Sequence, residues 1–168
     1  MEVKELLSDL NTLYDDNPLD IDGSILIRMS DKVKGLLRAS QIATGDENNI
    51  TVAIYGRKGA LKCEQENPNY LYFLKDDEPR RLIKPGNVYN TDVSLDGTKL
   101  PAGHPEGIFD AMGNIYKGVA KTLRGEQACD GECSTIGDSV RGMTWIEKGG
   151  EYKKKGSVRI RMENQEKE

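Results

Sequence analysis

The feature that most constrains the fold is a change in the spacing of apolar residues part-way along the chain. Between Asp20 and Lys84, short runs rich in β-branched and aromatic residues alternate with turn residues. This alternation predicts an antiparallel meander of about five strands, paired mainly between sequence neighbours. The predicted strands are residues 24–29, 33–43, 50–55, 60–64 and 70–74.

Apolar residues then recur at helical spacing from Ile108 to Leu123, with Pro105 and Glu106 near the start and Gly125 after the end. This pattern predicts a helix whose boundaries carry the usual residues.

A second helical pattern runs from Ile136 to Ile146. We expect this helix to end near Lys148, because Gly149 and Gly150 follow and each glycine costs about 1 kcal/mol in a helix interior. Residues 158–162 alternate again and predict a closing strand, whereas residues 85–103 lack any period and predict a long irregular connection. The first fourteen residues fit a helical stripe better than a strand.

Length and charge limit the classes of function. The 168 residues fit one domain spanning 1–168, and 24 basic against 28 acidic side chains give a net charge of -4. An acidic chain is a poor partner for a nucleic acid or an anionic membrane, so we expect neither. No export signal or membrane-spanning run is present in the sequence, so a cytoplasmic location is expected.

The cysteines do not form a recognisable metal motif. Cys129 and Cys133 are four residues apart without a second ligand pair, and Cys63 is distant in sequence. An odd number of cysteines without an export signal favours reduced thiols, and the spacing disfavours zinc. We therefore predict no metal site.

Three stretches in a fixed order carry a family resemblance: Ala39–Gly45 with Asn48-Asn49, Tyr55–Asn69, and Pro101–Gly107. Together they resemble the carboxy-terminal domain of the glucose-fructose oxidoreductase, inositol dehydrogenase and rhizopine-catabolism (Gfo/Idh/MocA) family. Runs within Asp9–Gly23 and at Val140–Met143 extend the resemblance over nearly the whole chain.

The resemblance implies an α+β fold, with an open, mostly antiparallel sheet and helices packed on one face, as in the dihydrodipicolinate-reductase-like domain. It also implies a strand rather than a helix at Glu5–Thr12, because tertiary pairing overrides local pattern. The family's amino-terminal nucleotide-binding domain is not represented, since the chain contains no G-x-G-x-x-G. We therefore expect the chain to begin just after the family's catalytic histidine.

By resemblance, the chain is the substrate-binding and oligomerisation domain of an NAD(P)-dependent sugar or polyol oxidoreductase. It is not expected to be catalytic alone: Lys84-Pro85 lacks the preceding Glu of the family's Glu-Lys-Pro run, and His104 has no Asp four residues earlier. We predict no catalytic residue and no cofactor-binding residue in this chain; NAD or NADP is implied only for the full-length enzyme. The alternative is a stand-alone, non-catalytic module that binds a sugar or self-associates.

His104 is the predicted substrate-binding residue, because in the family its segment lies at the rim of the substrate pocket. The alternative is that His104 only caps the following helix. Glu106 is interpreted as a first-turn partner of the helix dipole. Asn67, Asn69 and Gly103 are interpreted as turn formers.

Two further groups concern packing and partners. Trp145 and the row Met112, Ile115 and Tyr116 are interpreted as core or interface rather than as a ligand wall. Self-association through the sheet is expected, since residues of the type of Leu26, Leu36, Val52 and Tyr72 would otherwise leave an apolar patch exposed. A nucleotide-binding half in trans is the other expected protein partner.

Overall fold

The structure is a computed structural model that describes residues 2–126, 133–155 and 160–161. Its residues group into two compact units, the first formed by Met1–Gly45 with Thr135–Glu168 and the second by Asp46–Ser134. The expectation of one domain over 1–168 stays a prediction.

The described residues form eight strands and three helices. In chain order these are β1 (Val3–Asn11), β2 (Asp22–Met29), β3 (Lys34–Ser40), β4 (Thr51–Gly56), β5 (Gly59–Glu64), β6 (Leu71–Leu74), β7 (Arg81–Ile83), α1 (Asp92–Gly97), α2 (Ile108–Leu123), α3 (Ile136–Lys155) and β8 (Ile160–Arg161).

The first unit is a four-stranded antiparallel sheet in the order β3-β2-β1-β8, with α3 packed against β1. Its core lies between sheet and helix, where Leu6 is 1% exposed and contacts Ile25, with Trp145 of α3 packed against them. The buried Ser8 hydroxyl donates to the Gly149 carbonyl of α3 at 2.8 Å. Trp145, interpreted from the sequence as core or interface, is partly buried against this core.

The second unit contains a four-stranded antiparallel sheet in the order β4-β5-β6-β7, together with α1 and α2. All four of its strands pair between sequence neighbours, and the Gly56–Gly59 hairpin joins the first two. Arg80 stacks over the Tyr72 ring at 4.5 Å, so one aromatic of this sheet is covered by a cation from the same unit.

The α+β class with antiparallel strands is confirmed. The five predicted strands, the helix predicted over Ile108–Leu123 (α2) and the closing strand are confirmed as well. The strands are divided between two sheets, however, and do not form one continuous meander. The strand expected at Glu5–Thr12 is also confirmed, because β1 pairs with β2 on one side and β8 on the other, which outweighs its helical-looking stripe.

Two local predictions were wrong. Helix α3 continues past Gly149 and Gly150 to Lys155, since its packing on β1 and the Ser8 hydroxyl bond offset the glycine penalty. The irregular segment 85–103 contains the short helix α1, which begins at the Thr91 cap, whose hydroxyl accepts the Ser94 N–H. Strand β7 was also not anticipated.

Within the described ranges, we find no helix that is both long enough and apolar enough to cross a lipid bilayer.

Candidate functional site

The predicted site residue His104 lies on the connection between α1 and α2, in the second unit. We call residues 98–107 the His104 loop. The His104 imidazole is exposed, and the loop leads directly into α2, whose N-cap is Gly107. The contacts of this loop therefore decide where the imidazole points.

The start of the His104 loop is fixed because α1 is tied to α2. Lys117 Nζ lies 2.6 Å from Asp96 Oδ1, and Lys121 Nζ lies 3.4 Å from Asp96 Oδ2. The Asn114 amide also donates to the Gly97 carbonyl at 2.6 Å. The hydrogen bond from Lys117, aided by the charges of Lys117 and Lys121, holds the pKa of Asp96 below its ordinary value.

The Glu106 carboxylate closes the loop on itself. Its Oε1 atom accepts the backbone N–H groups of Lys99 at 2.5 Å and Leu100 at 2.6 Å. A carboxylate that accepts two backbone N–H groups makes charge-assisted hydrogen bonds, which are stronger than neutral ones. The interpretation of Glu106 as a helix-dipole partner is therefore wrong, because its side chain turns back to the loop and Asp110 occupies the first turn of α2.

Asn69 joins the His104 loop to the β5–β6 turn. Its amide nitrogen donates to the Glu106 carbonyl and its amide oxygen accepts the Glu106 N–H, both at 2.8 Å. This reciprocal pair satisfies both backbone groups of Glu106 through one half-buried side chain. Asn69 is thus more than the turn former that the sequence predicts.

Gly86 supports the same loop from the other side. Its φ is +70°, and a Cβ added there would lie 2.9 Å from the Ala102 nitrogen and 3.1 Å from the Leu100 carbonyl oxygen. Only glycine allows both this backbone conformation and this close approach.

The imidazole itself sits on a tight turn formed by Pro101–His104. The His104 N–H donates to the Pro101 carbonyl at 3.2 Å, and Gly103 has a φ of +90°, as the third position of a type II turn requires. The ring Nδ1 lies 3.2 Å from the same carbonyl oxygen. The ring therefore does not cap α2; the cap is Gly107, whose N–H donates to the Asp110 carboxylate at 2.9 Å.

The apolar row of α2 does not form a core. Met112, Ile115 and Tyr116 are all exposed, which disfavours a core and leaves an interface, or the less favoured ligand wall, as the interpretation of this row. Over the parts of the chain described, there is also no cluster of three or more metal-ligating side chains. Cys133 lies near Thr122, whereas Cys129 lies outside the described residues, so the absence of zinc stays a prediction.

Solved structures of known oxidoreductases share the fold of this chain. The chain is 33% identical to an oxidoreductase from Sinorhizobium meliloti whose structure aligns with a TM-score of 0.86 over 95% of this chain and 46% of that one. An inositol dehydrogenase homologue from Azotobacter vinelandii, solved with NAD+, is 26% identical, with a TM-score of 0.87 over 96% of this chain and 43% of its own. The chain resembles a carboxy-terminal domain of Gfo/Idh/MocA-type oxidoreductases.

A protein relative supports the same assignment. An uncharacterized oxidoreductase of Bacillus subtilis, YfiI, is 27% identical over 165 residues, which cover 94% of this chain and 42% of that protein. No protein-family profile matches the chain. The chain thus spans a little under half the length of the Gfo/Idh/MocA-type relatives that it matches.

The described residues do not fit a nicotinamide dinucleotide. Binding its pyrophosphate in the usual way requires a parallel strand-turn-helix unit with a glycine-rich turn. Every described strand pair here is antiparallel, and the sequence contains no G-x-G-x-x-G.

Sequence reasoning singled out His104 as a candidate but did not anticipate the contacts of the residues that hold its loop. Asn69 and Glu106 are both present in the motifs that carry the family resemblance, yet they are 37 positions apart. Only the fold reveals that the Asn69 side chain binds the Glu106 backbone.

Proposed function

We propose that this chain is the substrate-binding and oligomerisation domain of an NAD(P)-dependent sugar or polyol oxidoreductase, located in the cytoplasm. The observation that carries the proposal is the His104 loop, which presents an exposed imidazole and is itself held by hydrogen bonds at both of its ends. The domain that contains this loop resembles Gfo/Idh/MocA-type oxidoreductases. The nicotinamide and the proton-transfer residues belong to a nucleotide-binding half. This chain contributes substrate contacts.

A role in sugar contact is supported by the chemistry of the loop. An exposed imidazole is a hydrogen-bonding group suited to hydroxyl-rich ligands. Binding and catalytic residues commonly lie on loops held by a rigid scaffold, and the contacts of Glu106 and Asn69 supply that support.

Self-association is supported by the first sheet. Leu7, Leu26 and Leu36 are cross-strand neighbours on the face opposite the Leu6 core, and Leu26 and Leu36 are 53% and 71% exposed. The four residues expected to form one patch do not: Val52 and Tyr72 belong to the other sheet and lie on its opposite faces. The proposed interface is therefore the leucine row of the first sheet.

The alternative is a non-catalytic module that binds a sugar or only self-associates. The two functions differ in whether a partner half is used. A neighbouring reading frame that encodes a G-x-G-x-x-G strand-turn-helix, then Glu-Lys-Pro and Asp-x-x-x-His, would favour the oxidoreductase.

The decisive experiment is a chimera. The region of the Azotobacter vinelandii inositol dehydrogenase homologue that aligns with this chain is replaced by this chain, and nicotinamide reduction is measured over a panel of sugars and polyols. The panel includes myo-inositol and levoglucosan, the ligands in structures of two fold neighbours. We expect turnover of at least one compound, and no saturable NAD(P) binding by this chain alone.

The unmodified Azotobacter vinelandii homologue, assayed with myo-inositol, serves as the control for assay conditions. A folded chimera that binds NAD(P) but reduces none of it with any compound of the panel would refute the oxidoreductase proposal. Sugar binding by this chain alone, with an inactive chimera, would favour the stand-alone module.

A further inference from the structure

The hydrogen bonds of the His104 loop carry an inference about which nitrogen of the imidazole is free. We propose that Glu106 and Asn69 are positioning residues that hold His104 as its Nδ1–H tautomer, with Nε2 presented to accept a hydrogen bond from a ligand hydroxyl. The use of Nε2 by a ligand rests on the proposed function. The tautomer and its control by Glu106 and Asn69 do not.

The tautomer follows from the partner of Nδ1. A backbone carbonyl has no hydrogen to donate, so a hydrogen bond between His104 Nδ1 and the Pro101 oxygen, 3.2 Å apart, requires the proton on Nδ1. In a neutral imidazole the other nitrogen is then an acceptor. Within the described residues Nε2 has no hydrogen-bond partner, and the ring is exposed.

The position of the Pro101 carbonyl depends on the turn, and the turn depends on Glu106. The carboxylate of Glu106 holds the two residues immediately before Pro101, at Lys99 N and Leu100 N. Asn69 in turn holds the backbone of Glu106 by both its N–H and its carbonyl. The ring is therefore connected to the β5–β6 turn through these hydrogen bonds and the short stretches of backbone between them.

This arrangement selects a class of ligand group. A neutral Nε2 without a proton accepts from a donor, so it favours an alcohol hydroxyl over a carbonyl or a phosphate oxygen. Sugars and polyols present many such donors. The inference thus narrows the proposed contact to a hydroxyl-to-Nε2 hydrogen bond.

The chain's single histidine makes the test direct, because its imidazole gives one set of resonances without assignment ambiguity. The full chain is labelled with nitrogen-15, and long-range proton–nitrogen correlations are recorded at about pH 9, where an unperturbed imidazole is neutral. We expect Nδ1 to resonate as the protonated nitrogen and Nε2 as the unprotonated one. A predominant Nε2–H form would overturn the proposal.

Variants test the positioning role. Glu106→Ala and Asn69→Ala should each shift the imidazole resonances toward the tautomer mixture of a free histidine, while Glu106→Gln, which keeps an acceptor oxygen, should retain most of the wild-type signature. Glu66→Ala and Asn67→Ala are the matched controls, since they remove an exposed carboxylate and an exposed amide from the same β5–β6 turn. Identical His104 spectra for wild type, Glu106→Ala and Asn69→Ala would refute the positioning role.

If a variant fails to fold, the backbone amide spectrum shows it, and Glu106→Gln with Asn69→Ser then provide the comparison at milder perturbation. This test fails independently of the proposed function. An inactive chimera in which His104 keeps its Nδ1–H tautomer would refute only the proposed oxidoreductase function. An active chimera in which His104 is the Nε2–H tautomer would refute only the positioning role of Glu106 and Asn69.

Discussion

Replacing Asn69 with Ala tests whether the His104 loop is held as the contacts indicate. The half-buried Asn69 side chain makes two hydrogen bonds of 2.8 Å to the backbone of Glu106, and the change removes both. A typical internal hydrogen bond contributes about 0.5–1.5 kcal/mol net, so we expect a loss of about 1–3 kcal/mol in the free energy of unfolding. For a chain of this size each kcal/mol corresponds to roughly 2–4 °C in Tm.

Asn69→Asp separates the two bonds. An aspartate keeps the oxygen that accepts the Glu106 N–H but loses the amide that donates to the Glu106 carbonyl, and it places a carboxylate against that carbonyl oxygen. It should therefore destabilise the fold at least as much as Asn69→Ala at neutral pH. On acidification the protonated carboxyl regains a donor, so the deficit of Asn69→Asp should shrink.

The assay is urea unfolding followed by circular dichroism, with Asn67→Ala as the control. Asn67 is an exposed amide in the same turn, and exposed substitutions away from such contacts typically change stability by less than about 0.5 kcal/mol. A lower midpoint with an unchanged m value would attribute the effect to stability. Equal urea midpoints for Asn69→Ala and Asn67→Ala would refute the role of Asn69 in holding the His104 loop.

Three further outcomes follow from other parts of the chain. Leu6→Ala should cost about 2–5 kcal/mol in urea unfolding, because Leu6 is 1% exposed in the first unit's core; a loss below about 1 kcal/mol would contradict that core. The difference in unfolding free energy between wild type and Asp96→Asn should be constant near neutral pH, because the lowered pKa of Asp96 makes its ionised form the stabilising one. This difference should vanish as pH falls below 3.8, the ordinary pKa of an aspartate. A difference that instead grows in acid would contradict the Lys117 contact. Leu26→Ser combined with Leu36→Ser should abolish self-association in sedimentation at tens of micromolar, while Val88→Ser, at a position 100% exposed in the other unit, should not; a strictly monomeric wild type would refute the proposed interface.

Much of the fold was predictable because periodicity reports directly on burial. The alternation in β2 to β6 and the helical spacing of α2 both correspond to elements within three residues of the expected bounds. The division into two sheets was not predictable, since neighbouring hairpins look alike in sequence whether or not they join one sheet. Helix α3 extended past its glycines through a contact with Ser8, which lies 141 positions away.

The candidate site was predictable only in part. The motif around His104 singled out the loop as a candidate, but the contacts of its neighbours depend on the tertiary structure. Glu106 has the residue type and position expected of a helix-dipole partner, yet its carboxylate binds Lys99 N and Leu100 N. Local propensity cannot distinguish these two arrangements, because the partners of the carboxylate, Lys99 and Leu100, lie well before the start of α2 and are brought to it only by the path of the loop.

The central claim, that His104 contacts the substrate of an oxidoreductase, is tested most directly by kcat/KM of the chimera with and without His104→Ala. The account predicts a fall of about 2- to 12-fold, the loss of one hydrogen bond of about 0.5–1.5 kcal/mol, with an unchanged Tm because the ring is exposed and does not cap α2. An unchanged kcat/KM together with a lowered Tm would contradict the claim and leave His104 a structural residue.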